Sequence, residues 1–101
     1  MAKSPESRLQ QKIKKALENA FPGSFWFKSH GGPYQQKGIP DLIGVVQGKF
    51  IGVEVKVPGR EHNLTDIQKH TIELINKAGG IAFMSTSVEH SVETIQKRLN
   101  L

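Results

Sequence analysis

Residues 38–60 read GIPDLIGVVQGKFIGVEVKVPGR. Two runs rich in Val and Ile, residues 42–46 and 50–57, flank Gln47 and Gly48. β-Branched runs on either side of a Gly-containing pair predict a β-hairpin. If Gln47 and Gly48 alone make the turn, Val46 faces Lys49 and Val45 faces Phe50. The same pairing carried down the strands sets Asp41 opposite Glu54. Lys56 follows Glu54 by two residues, so the strand period returns it to the same face. Opposed side chains start about 4.5–5.5 Å apart at Cβ. The reading gathers two carboxylates and a lysine at the open end of the hairpin, and a bulge at Gly48 would undo it.

Like charges directly opposite each other destabilise a sheet. Their neighbours are Leu42, Ile43, Val53, Val55 and Val57, which predicts a half-buried setting. A divalent cation between the carboxylates turns repulsion into coordination, and hard cations such as Mg²⁺ take oxygen ligands. A metal at such a place activates water and stabilises charge on a phosphate oxygen. Lys56 would orient the water or stabilise the developing charge. Taken singly, these residues have plainer roles. Asp41 caps a turn after Pro40, and Glu54 and Lys56 form a solvated ladder.

Pro40-Asp41 followed by Glu54-x-Lys56 on the next strand resembles the PD-(D/E)XK nuclease superfamily, and more closely its VRR-NUC branch, the virus-type replication-repair nucleases. The residues that carry the likeness are Gly38-Ile-Pro-Asp41-Leu-Ile-Gly44, Glu54-Val-Lys56 with Pro58-Gly59-Arg60, Leu64-Thr-x-x-Gln68, and Glu6 upstream. The superfamily pattern alone is short; the ordered combination is specific and spans nearly the whole chain. The resemblance implies a metal-dependent DNA endonuclease with Asp41, Glu54, Lys56 and Gln68 as catalytic residues. It implies that Asp41, Glu54 and the Val55 carbonyl hold Mg²⁺ or Mn²⁺, with Glu6 as a third acid. It further implies a homodimer acting on branched DNA such as four-way junctions, in phage or bacterial replication, repair or recombination.

A chain of 101 residues suits one domain, residues 1–101. Its formal charge of +5 and sequence pI of about 9.7 favour a polyanionic partner such as DNA, although many small proteins carry such a charge. It has no Cys, so neither a disulfide framework nor a thiolate metal site is available. The apolar runs are far shorter than a membrane span, and Met1-Ala-Lys-Ser-Pro-Glu opens no signal-peptide pattern. A cytoplasmic protein without membrane association is the expectation.

Ser4 as N-cap and Pro5 at the first helical position predict a helix over residues 5–21. Leu9, Ile13, Ala16, Leu17 and Ala20 form its apolar stripe, and Pro22-Gly23 ends it. Arg8, Lys12 and Lys15 line another face, read as solvated. Glu6 has two readings: a first-turn acid complementing the helix dipole, or a member of the inward stripe leading to Leu9 and Ile13. Residues 24–29 read as a strand with Phe25 and Phe27 in the core. Ser29 to Pro40 is a polar, Gly-rich loop that includes Gly31 and Gly32 and delivers the chain to Asp41, so it borders the substrate groove. Lys28, His30, Tyr34 and Lys37 on that side, and Arg60 and His62 beyond the lysine strand, are the candidates for contacting DNA. His30 lacks a partner at metal-ligand spacing.

Thr65 with Gln68 forms a capping box for a helix from about Asp66 to Lys77, which is a complete structural reason for Gln68. Ile67, Thr71, Leu74, Ile75 and Ala78 are expected to pack inward, and Gly79-Gly80 stops the helix. Ile81 to Ser85 reads as a buried strand. Ser87 caps a final helix with the stripe Val88, Val92, Ile95 and Leu99. The order α-β-β-β-α-β-α predicts an α/β fold with a mixed four-stranded sheet flanked by helices. This matches the restriction-endonuclease-like core that the motif implies, and it rests on different residues. The terminal helix with Leu99 and Leu101, and Trp26 if it lies on an exposed face, are the material offered for the dimer interface; the alternative is that they complete the monomer core.

Overall fold

The computed structural model describes residues 3–31 and 33–101; Met1, Ala2 and Gly32 lie outside the described residues. Helix α1 spans Pro5–Ala20, with Ser4 Oγ accepting from the Ser7 N–H at 3.1 Å. Strands β1 (Phe25–Lys28), β2 (Leu42–Val46) and β3 (Lys49–Val55) form an antiparallel meander. A short 3-10 turn, Glu61–Asn63, leads to α2 (Asp66–Lys77). That helix crosses over to β4 (Ile81–Ser85), which lies parallel to β3, and α3 (Val88–Leu99) closes the chain. The sheet order β1-β2-β3-β4 makes a mixed four-stranded sheet, as expected.

The turn decides the register. Gln47 and Gly48 have φ of 52° and 79°, the left-handed pair that a tight two-residue hairpin turn requires. Val46 pairs with Lys49, Val45 with Phe50 and Leu42 with Val53, without a bulge. Asp41 and Glu54 follow as the next opposed positions.

One face of the sheet is closed by α1 and α3, which pack against each other. Ile13, Leu17 and Ile95 from the helices meet Trp26, Leu42, Val46, Ile51, Val53 and Val55 from the sheet. Helix α2 covers only part of the other face: a Cβ on Gly52 would touch Pro40 and Ile75, and Asn76 bonds to the backbone of Ala82 through both its Oδ1 and Nδ2.

The aromatic strand inverts the expectation. Trp26 is buried and lies directly over Gly44, while Phe25 and Phe27 are exposed. With a period of two, only one set can face the helices. The indole takes that place because Gly44 leaves room for the ring, and its N–H donates to Ser24 Oγ at 2.8 Å. In α2, Thr71 is buried, but Ile67, Leu74 and Ala78 are exposed, because the helix sits over β3 and β4 and leaves one flank open. No helix among the described residues is long and apolar enough to cross a membrane.

Candidate active site

Asp41 is delivered by a clamped loop end. Pro40 is fully buried, and the Gly38 backbone, at φ 83°, lies against Ile67 and Thr71 so closely that a side chain would collide with both. The Ser29 N–H donates to the Asp41 carbonyl at 2.8 Å, and Ser29 Oγ donates to the Pro40 carbonyl at 2.7 Å. Because β2 begins only at Leu42, the Val55 N–H finds the Asp41 side chain, donating to Oδ2 at 2.8 Å. That bond fixes the Asp41 carboxylate and the Val55 peptide beside each other.

Glu54 stands opposite and is 2 % exposed. Its Oε2 accepts from Gln68 Nε2 at 3.1 Å and lies 3.6 Å from Lys56 Nζ. Its Oε1 is buried without any hydrogen-bond partner. The Glu54 carboxyl is pushed up to about 8. Burial is the main cause; the nearby Asp41 charge adds to it, Lys56 works against it, and Glu6 adds a smaller push. Two ionised carboxylates are both acceptors, so only a proton or a cation reconciles them.

Gln68 holds two roles at once. Its Oε1 accepts from the Thr65 N–H at 2.9 Å, closing the capping box, while its Nε2 reaches Glu54. The contact is thus with the glutamate and not with Lys56.

The donor set fits a hard cation: two carboxylates, one with an unpartnered buried oxygen and a strongly raised pKa, beside the Val55 peptide. Among the described residues no group of three Asp, Glu, His or Cys side chains is gathered to hold a metal. Glu6, at the start of α1, is near enough for its charge to act on Glu54, and it lines a cleft with Lys56, Arg60 and Asn63. A second cleft, lined by Ser29, Gln35, Lys37, Gly38 and Asp41, opens on the other side.

The candidate DNA contacts divide between these sides. His30, Tyr34 and Lys37 stand exposed on the loop before Asp41. Arg60 enters the Glu6 cleft, and His62 is exposed on the 3-10 turn. Lys28 is half-buried, its Nζ donating to Ser7 Oγ at 3.1 Å, so it ties β1 to α1. Sequence reading missed the Ser29 clamp and Asn63. A serine at a strand end carries no signal of its own, since its function depends on where the distant Pro40 returns.

This arrangement defines the class: an α/β nuclease-like fold in which a hairpin, a crossover helix and the first helix converge on two carboxylates and a lysine. No protein-family model and no curated protein matches the sequence. Solved structures do. One described as a VRR_NUC domain protein aligns with a TM-score of 0.72 at 19% identity, covering 100% of this chain and 93% of that one. Another, described as a VRR_NUC domain, gives a TM-score of 0.68 at 25% identity, covering 93% of this chain and 97% of that one. The fold of this chain is that of a VRR-NUC domain.

Proposed function

We propose that this VRR-NUC fold is a metal-dependent DNA endonuclease that hydrolyses phosphodiester bonds, selective for branched DNA such as four-way junctions. The observation that carries the reading is Glu54: a buried carboxylate with one orphaned oxygen, set against Asp41 and beside Lys56. Such a cluster has no reason to persist as a structural element, because uncompensated buried charge is destabilising.

Asp41, Glu54 and the Val55 carbonyl would hold Mg²⁺ or Mn²⁺, with Glu6 the further candidate. When bound, such an ion supplies positive charge at a phosphate oxygen and lowers the pKa of water. Gln68 keeps Glu54 oriented. The Lys56 ammonium, itself largely buried, presents N–H donors and charge where the phosphate becomes more negative during attack. Attack of water on phosphorus needs no covalent enzyme intermediate. Lys37, Tyr34 and His30 on one side and Arg60 and His62 on the other would carry the DNA backbone across the site.

The rival reading is a binding module with the same fold that does not cut. Cleavage of plasmid, linear duplex and four-way junction with Mg²⁺, Mn²⁺ or EDTA separates them. The nuclease reading expects cation-dependent cleavage that is fastest on the junction. Binding without cleavage under every cation condition would establish the rival.

A further inference from the structure

Strand β4 ends at Ser85, and α3 begins at Val88. Ile81, Phe83 and Ser85 share one side of the strand by its period of two, and the first two pack into the core. On α3, Ser91 stands one turn before the core residue Ile95. Both serines are buried, Ser85 to 1% and Ser91 to 0% exposure. An apolar pair would fill this place, yet the two side chains are hydroxyls and they meet. Ser91 Oγ lies 2.7 Å from Ser85 Oγ and 2.8 Å from the Ser87 carbonyl. Ser85 Oγ lies 3.0 Å from the Ser87 carbonyl and 3.0 Å from His90 Nδ1. His90 is exposed, and its ring stands edge-on to Phe83 with centroids 5.9 Å apart. The His90 N–H donates to Ser87 Oγ at 3.1 Å, so the same short turn anchors it.

The backbone of Ser85 leads to the site. The β3 ladder stops at Val55, which pairs with Ser85. One residue further, the Lys56 N–H donates to the Ser85 carbonyl at 3.0 Å. The ammonium at the other end of Lys56 is 3.6 Å from Glu54 Oε2, outside hydrogen-bond range. Lys56 is therefore placed from its backbone, and that backbone hangs on Ser85. From these observations we infer that Ser85, Ser91 and His90 are positioning residues for Lys56. Their cluster fixes the last peptide of β4 and, through it, the aim of the ammonium. The inference rests on the nuclease reading for what that ammonium does. Stability alone gives no reason for the hydroxyls: burying one costs free energy unless it is bonded, and replacing both partners of such a bond by apolar groups is nearly neutral. Two alanines would pack as well. They would not tie the strand end to the start of α3, and strand ends without such ties open locally. A shift of about 1 Å in a positioned group can cost on the order of a hundredfold in rate. His90 completes the cluster by covering Ser85 Oγ on its solvent side.

Hydrogen exchange read amide by amide tests the placement without reference to cleavage, and steady-state cleavage of a four-way junction with Mn²⁺ tests its use. In the double variant Ser85→Ala with Ser91→Ala, the Lys56 amide should exchange at least about tenfold faster while the Val53 amide keeps its wild-type rate. Its kcat should fall at least about tenfold with KM for DNA within about twofold of wild type. His90→Ala, at an exposed position that folding tolerates, should shift both readouts in the same direction. His90→Asn, whose side-chain amide can take the place of Nδ1, should restore them. Ile95→Val loosens α3 against the core without touching the hydroxyls, and should lower the melting temperature while leaving Lys56 exchange and kcat as they are. A Lys56 amide as protected in the double variant as in wild type overturns the inference. So does a loss of protection shared equally by Val53, or a failure of His90→Asn to differ from His90→Ala; either would make the cluster a structural tie alone. A wild type that does not cut, with the exchange shifts as expected, would leave Lys56 held as inferred and count against the nuclease reading alone.

Discussion

Gln68 Nε2 lies 3.1 Å from Glu54 Oε2 while the other end of the same amide closes the cap of α2 at Thr65. One side chain joins a helix start to a buried carboxylate, so its structural and chemical roles can be separated by substitution. Gln68→Glu keeps an acceptor for the Thr65 N–H, as a capping box allows, but sets a third carboxylate against Glu54. Its melting temperature should stay near wild type while cleavage falls at least about tenfold, like charges at such range disfavouring ionisation of Glu54. Gln68→Ala should lose both, with about 1 kcal/mol of stability removed. Equal cleavage by Gln68→Glu and wild type would leave the glutamine a cap alone.

The raised Glu54 pKa predicts the pH dependence of the metal-free protein. Folded Glu54 titrates at about 8, against about 4.3 in an unfolded chain. Between those values the folded state holds a proton that the unfolded chain has released, so stability falls as pH rises through that interval. The destabilising contribution is absent below the unfolded value and complete above the folded one. In EDTA the melting temperature should decline from about pH 5 to about pH 8, and Glu54→Gln should remove the decline. A profile unchanged by Glu54→Gln would assign the titration elsewhere.

Asp41→Asn removes one of the opposed charges and retains an oxygen that can accept from the Val55 N–H. In EDTA at pH above 8 this variant should melt higher than wild type. Wild type should gain about 2.7 kcal/mol when Mn²⁺ is present at a hundred times its dissociation constant. Asp41→Asn should gain little and should not cleave, and Lys56→Ala should bind the ion yet not cleave. An equal Mn²⁺ shift in wild type and Asp41→Asn would place the ion outside this site.

Much of this was legible in advance because it depends on local geometry. The two-residue turn, the strand period and the capping box are short-range rules, and they located Asp41, Glu54, Lys56 and Gln68. Side-chain facing in β1 was not legible: three consecutive aromatics carry no alternation, and Gly44, which receives the indole, is distant in sequence. The inward stripe expected for α2 failed at Ile67 and Leu74 for a related reason. Periodicity identifies an apolar side of a helix, but not whether the protein itself covers it.

Gly44→Ala tests the aromatic arrangement. A methyl there would run into the Trp26 ring and the Phe25 carbonyl. Overpacking of this kind costs about 1–3 kcal/mol, and the loss should be visible as a shifted denaturant midpoint. A variant as stable as wild type would mean the indole can move aside.

Arg60 and Lys37 line two different clefts, one shared with Lys56 and the other with Asp41, and both are exposed. If each meets a phosphate, Arg60→Ala and Lys37→Ala should each lower the slope of log affinity against log salt by about 0.9. Rates at saturating DNA should change far less than affinity. An unchanged slope in either variant would take that residue off the DNA path.

The Gln47-Gly48 turn has a consequence for how this chain can vary. Meeting of the carboxylates is a matter of parity: one residue added to or removed from the turn sends Asp41 to the opposite side of the sheet from Glu54. The stretch between Ser29 and Lys37 carries no such arithmetic, because Asp41 is held by the Ser29 bonds to Pro40 and Asp41 and by Gly38 against Ile67 and Thr71. Length is therefore free to drift ahead of Lys37 and frozen beyond Asp41, and a library of single-residue insertions should lose activity at the hairpin tip and at the clamped Gly38–Pro40 end while sparing the stretch before Lys37.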